Sequence, residues 1–158
     1  MSQSNRHTKT KGHSIDVILI DPHGDIGKAM KNKDWVSGFS YAVRYIEHFG
    51  TIKIKNFIDS RIIQGIQNPD QKREVSNRYM GDLKRSSAVN IAFTLFVLGL
   101  IDPSTYVDLR NIIVERNTLI HPLKKGVGFQ HSKEEEEKRR TMLQKAQKLI
   151  ERIQQIKI

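Results

Sequence analysis

An arginine, an asparagine and a histidine fall close together in Arg116-Asn117-Thr118-Leu119-Ile120-His121. A guanidinium holds phosphate oxygens in bidentate fashion and an imidazole moves a proton near neutral pH, so the pair suits phosphodiester chemistry. Their setting is unusual for their types. Tyr106, Leu109, Ile113 and Ile120 step by three, four and seven along a helix predicted from Pro103 to about Ile120, which defines a core-facing stripe. The missing rung between Ile113 and Ile120 falls at Arg116 and Asn117, with Ile112 and Leu119 on the neighbouring edge. Arginine is rarely buried without a partner. Either Arg116 pairs with a buried acid, such as Glu115 or Asp108, or it lines a cleft where an anion binds. The residues alone leave both open.

His121 adds a second group. It stands five positions after Arg116, roughly 140° around a regular helix, so the two do not share a face. Asn117 and His121 are four apart and do. Pro122 disfavours helical geometry at His121, and the imidazole is expected to project from the frayed helix end. There the helix dipole favours imidazolium while the nearby Arg116 opposes it. Without the arginine, a histidine before a proline reads simply as a helix stop.

The elements that must hold these residues are mostly helical. Met1 to His13 reads as a flexible basic arm, and residues 14–158 as a single helical domain. Ile15 to Ile20 (IDVILI) reads as one short strand that stops at Asp21-Pro22. Asp34 can cap a helix carrying Trp35, Phe39, Ala42, Val43, Ile46 and Phe49, which Gly50 is expected to end. Thr51 to Gln64 is read as helix, although Ile52 and Ile54 alternate like a strand. Asn68-Pro69-Asp70 breaks the chain before a helix from about Gln71 to Met80. Leu83 to Leu98 is apolar on most sides, as the central helix of a bundle would be. Asp102-Pro103 supplies an N-cap and a first-turn proline for the helix that follows.

Leu123 to His131 forms a basic, glycine-containing loop, and Ser132 opens the last helix with a capping box to Glu135. The charges from Glu134 to Arg140 read as a solvated helix start. Met142, Leu143, Ala146, Leu149, Ile150, Ile153 and Ile156 form the buried stripe behind them. The expected fold is all-α, a bundle of four or five helices with a short N-terminal strand.

Composition narrows the classes of function. The 158-residue chain carries 27 Lys and Arg against 17 Asp and Glu, a formal net charge of +10 that favours a polyanionic partner. It has no cysteine, so neither a disulfide nor a thiolate metal site holds it. Asp21, His23 and Asp25 are the candidate metal ligands closest together, but Pro22 and Gly24 make that stretch a turn rather than a ligand set. No metal and no cofactor are expected. The longest apolar stretch, Ala88 to Ile101, is interrupted by Asn90 and Thr94 and falls short of the roughly 20 residues that span a bilayer. The first thirteen residues are polar and basic, unlike a secretory signal, and a cytoplasmic location is expected. Lys124 and Lys125 follow His121 directly and either extend a phosphate-binding surface or carry solvated loop charge. Lys72, Arg73, Arg78, Lys84 and Arg85 make a second basic group. Trp35 lies on an apolar stripe and belongs to the core.

Arg116 to His121 resembles the RNxxxH form of the R-x(4–6)-H motif of HEPN domains. The apolar helix ending Phe93-Thr94-Leu95-Phe96-Val97-Leu98-Gly99-Leu100-Ile101, the linker Asp102-Pro103-Ser104 and the approach from Tyr106 to Glu115 are similar to the context of that motif. The likeness covers about Asp34 to Ile158 and is strongest from Leu83 to Pro122. It implies a helical bundle whose homodimer brings two motif helices into one composite cleft. It also implies a metal-independent endoribonuclease of the toxin or antiviral-defence kind that leaves a 2′,3′-cyclic phosphate. In that reading His121 activates the ribose 2′-hydroxyl or protonates the leaving oxygen, Arg116 stabilises phosphate charge, and Asn117 orients the histidine or contacts phosphate. RNA, a second copy of the chain and a cognate antitoxin or regulatory protein are the implied partners, with no membrane. Some members carry a tyrosine two positions after the histidine, where this chain has Leu123. Others keep the bundle as a non-catalytic module that binds nucleic acid or protein, which is the alternative expectation.

Overall fold

The computed structural model describes residues 21–121 and 132–158. Among them are six α-helices, one 3-10 turn at Ile63–Gly65 and no strand: α1 (Pro22–Lys31), α2 (Trp35–Arg61), α3 (Pro69–Lys84), α4 (Ala88–Val97), α5 (Pro103–Ile120) and α6 (Lys133–Gln155). The all-α expectation is met, with six helices rather than four or five. The strand read at Ile15 to Ile20 and the arm before it lie outside the described residues.

Four departures from the sequence reading have local causes. The stretch Asp21 to Asp25 is the start of a helix, not a turn: Asp21 accepts the Gly24 N–H at 2.9 Å and Pro22 occupies the first turn. The glycines at 24 and 27 hid this start. α1 is held to α2 by the Tyr45 hydroxyl, which donates to the Asp25 carboxylate; burial and this bond push Tyr45 up to about 12. Gly50 does not end α2, which runs on to Arg61. The glycine is there for proximity, since a Cβ would run into Ile91 Cγ2 of α4 and stand 3.3 Å from Leu95 Cδ1. Gly81-Asp82 does not interrupt α3. The break falls later, where Ser87 accepts the Asn90 N–H and opens α4, so Leu83 closes α3 instead of starting the apolar helix.

Two expectations at the ends of α5 and α6 are met. Asp102 caps α5, accepting the Thr105 N–H at 2.7 Å, and Pro103 follows. That N–H and the Ser104 hydroxyl hold the Asp102 carboxyl down at about 2. Ser132 and Glu135 satisfy both halves of the capping box at 3.1 Å.

Packing places α5 between its neighbours. Ion pairs join α5 to α6 at successive heights, Asp102 to Arg152, Asp108 to Lys145 and Glu115 to Arg139, so the two helices run antiparallel. α6 runs parallel to α2, with Lys33 meeting Glu136 near one end and Lys53 donating to the Ile156 carbonyl near the other. α4 turns into α5 through Gly99 at φ +69°, where the Gly99 and Leu100 N–H groups close onto Phe96 and Leu95. Phe96 then stacks on Tyr106 at 5.2 Å. One core includes Phe39, Ile46, Ile54, Ile91, Leu95, Leu109, Ile112, Leu143 and Ile150. Each such side chain contributes about 1.5–3 kcal/mol by leaving water.

Replacing Gly50 by alanine tests the α2–α4 approach. Helix propensity alone favours the change by about 1 kcal/mol. Crowding against Ile91 is expected to outweigh it, giving a net loss of about 1 kcal/mol in urea denaturation.

Candidate active site

α5 buries Thr105, Leu109, Ile112 and Ile113, and nothing beyond them is fully buried. The reason is length. α4 has 10 residues and α5 has 18, about 15 Å against 27 Å, so the last turns of α5 extend past the helix that pairs with its first half. Arg116 continues the core stripe into this open end and is half-buried.

The structure joins the side chains of Arg116 and Asn117, while His121 is linked to Asn117 through the backbone alone. The Arg116 Nη1 donates to the Asn117 Oδ1 at 3.0 Å. The His121 N–H donates to the Asn117 carbonyl at 2.9 Å, making His121 the C-cap of α5. With φ −113° and ψ 67°, His121 has left the helix, as Pro122 led one to expect, and it is exposed. Asn117 therefore ties down the arginine through its side chain and the histidine through its backbone. No hydrogen bond to the imidazole itself is made among the described residues, so Asn117 does not orient the ring directly.

The two acids that the sequence offered as partners for Arg116 are both taken by α6. Glu115 Oε1 accepts from Arg139 Nε at 3.0 Å, and Asp108 Oδ1 accepts from Lys145 Nζ at 2.6 Å. Among the described residues Arg116 has no carboxylate within ion-pair distance, and its Nε is buried without a hydrogen-bond partner. The side-chain acceptor for Arg116 among the described residues is the Asn117 amide oxygen.

Arg139 is the residue that sequence reasoning missed. It was placed in a solvated charge run, yet it is 8% exposed. The signal was present in its spacing: positions 139, 143, 146, 150 and 153 share the buried face of α6. Glu136 is also half-buried and meets Lys33, while the others fit the solvated reading, with Arg140 pairing to Glu137 on the surface.

Other candidates resolve plainly. Lys124 and Lys125 lie outside the described residues. In the second basic group Arg73, Arg78 and Arg85 each pair with an acid of their own helix, Asp70, Glu74 and Asp82. α3 buries only Leu83, so this group is a solvated helix surface. Trp35 is in the core as expected. Asp21 is spent on its cap, His23 Nε2 meets Glu151 at 2.8 Å and Asp25 accepts from Tyr45, so the three point to separate partners. Among the described residues no helix is long and apolar enough to cross a membrane. Comparison with protein families, with characterised proteins and with solved structures finds no match to the chain.

Alanine substitutions separate the two arginines. Arg139→Ala strands Glu115 and is expected to cost about 3 kcal/mol of stability. Arg116→Ala removes a charge that no acid among the described residues pairs with, and stability should stay within about 1 kcal/mol of the parent or rise. Equilibrium denaturation of both variants checks the contrast.

Proposed function

We propose that the protein is a metal-independent endoribonuclease of the HEPN kind, working as a homodimer whose two Arg116–His121 pairs form one composite cleft. The observation that carries this reading is the uncompensated Arg116. α6 has taken both acids of α5, and five positions after Arg116 the chain leaves the helix at an exposed His121. Cleavage of RNA needs no more than these groups supply. The ribose 2′-hydroxyl loses its proton to an imidazole and attacks phosphorus. The bond from phosphorus to the 5′-oxygen breaks, that oxygen takes a proton, and a 2′,3′-cyclic phosphate remains. Arg116 holds the charge that builds on the phosphoryl oxygens. His121 of one protomer acts as base and that of the other as acid, a division a dimer makes available. Asn117 keeps arginine and histidine in register. The net charge of +10 favours a polyanionic substrate. A role in toxin or defence systems, with a cognate inhibitor, belongs to the same reading.

Support for the dimer comes from the outer face of α4 and α5. Phe93 and Val97 are 51% and 62% exposed, and Phe93 meets Tyr106 edge-on at 6.2 Å, so α4 and the start of α5 share one surface. Contiguous apolar surface of this kind marks an interaction site. A twofold axis across it would pair α4 and the start of α5 with their copies.

Incubating the protein with mixed RNA in excess EDTA is the direct test, beside folded Arg116→Ala and His121→Ala variants. Cleavage by the parent that leaves cyclic phosphate ends and drops by at least about 100-fold in both variants is expected. RNA that stays intact while still bound would point instead to a non-catalytic binding module. Phe93→Glu together with Val97→Glu should convert the dimer to a monomer in light scattering and abolish cleavage with it. A variant that stays dimeric places the interface elsewhere.

A further inference from the structure

We infer that Arg139 is a positioning residue that keeps Glu115 away from Arg116, and so keeps Arg116 open to an anion; this rests on the reading of Arg116 as a phosphate-holding group. Glu115 is the immediate neighbour of Arg116 in the chain. Adjacent helical side chains point about 100° apart and do not ordinarily meet. Arg116, however, is long enough to reach an adjacent residue, as its 3.0 Å bond to Asn117 shows. Glu115 stands on the opposite flank of Arg116 by the same one-residue step, and a carboxylate is a stronger acceptor for a guanidinium than an amide. Left alone, Glu115 would be the natural counter-ion.

What prevents this is the placement of Arg139. It sits on the buried stripe of α6, one turn before Leu143, which is fully buried. Its Nε holds Glu115 Oε1 at 3.0 Å and directs that carboxylate toward α6. The antiparallel packing that sets Lys145 on Asp108 and Arg152 on Asp102 fixes the height of Arg139 opposite Glu115. The pair neutralises a carboxylate that would otherwise compete for Arg116 and repel an incoming phosphate. An ion pair that merely braced the helices would need both members equally. A pair that shields Arg116 needs Arg139 only because Glu115 is charged.

That asymmetry is measurable without RNA. Phenylglyoxal modifies free guanidinium groups, and peptide mass spectrometry reads the rate at Arg116 in the full-length parent, Arg139→Gln, Glu115→Gln and the double variant. Arg139→Gln should slow modification of Arg116 several-fold, Glu115→Gln should keep the parent rate, and the double variant should return to it. An unchanged rate in Arg139→Gln overturns the inference, as does a double variant that stays slow. Circular dichroism confirms that each variant is folded at the temperature used. In RNA cleavage the same series should show the loss in Arg139→Gln as a raised KM, rescued by Glu115→Gln. If the parent cleaves no RNA, the proposed function fails, while the modification rates still decide the role of Arg139.

Discussion

The packing of α6 against α5 engages both acids of α5, so neither Asp108 nor Glu115 is the counter-ion of Arg116. α6 meets α5 with a cation opposite each of three acids: Arg152 at Asp102, Lys145 at Asp108 and Arg139 at Glu115. The outer two pairs are open to solvent on the cationic side, where such pairs contribute little to stability. The third is the most enclosed, and breaking a buried pair leaves a charge with nowhere to go. The register of the two helices is thus coupled to the charge state of the site. A slip of one turn between α5 and α6 would leave Glu115 without Arg139 and offer it to Arg116.

The same packing explains why the site lies where it does. α4 is short because Ser87 caps it at one end and Gly99 closes it at the other. Its brevity leaves α5 the longer of the two, 18 residues against 10. The core stripe of α5 therefore ends in half-buried positions, suited to a long side chain with an apolar stem and a charged head. Pro122 then releases His121 from the helix, while its N–H still anchors on Asn117. A half-buried arginine at the end of a bundle needs no insertion or extra element. It needs one helix longer than its neighbour and a proline to stop it.

Much of this was legible in the sequence, for reasons that differ by element. The caps at Asp34, Asp102 and Ser132 were readable because their chemistry is local: a side-chain oxygen meets an N–H a few residues on. The boundaries of α5 and α6 followed. The interrupted stripe at Arg116 was readable because helical period is also local. What could not be read depended on partners far along the chain. Gly50 looked like a stop because only Ile91, 41 positions later, explains its missing side chain. α1 was hidden because its glycines argue against a helix, and the contact that secures it comes from Tyr45. Arg139 stood among exposed charges, and the stripe that claimed it competed with a simpler pattern of acids followed by bases. Glu115 and Asp108 were named as partners for Arg116, and which cation they would choose was a question of register between two helices.

The surplus of positive charge illustrates the difference between counting charge and locating it. A net charge of +10 attracts phosphate to the molecule as a whole and says nothing about where one would be held. The most conspicuous basic group, on α3, spends Arg73, Arg78 and Arg85 on acids three or four residues away. Those guanidiniums are numerous and exposed, and water solvates them well, so capturing a phosphate there gains little. Arg116 is a single cation, but its Nε is already out of water and without an acceptor. At α3 a phosphate would compete with carboxylates already in place, whereas no described acid pairs with Arg116.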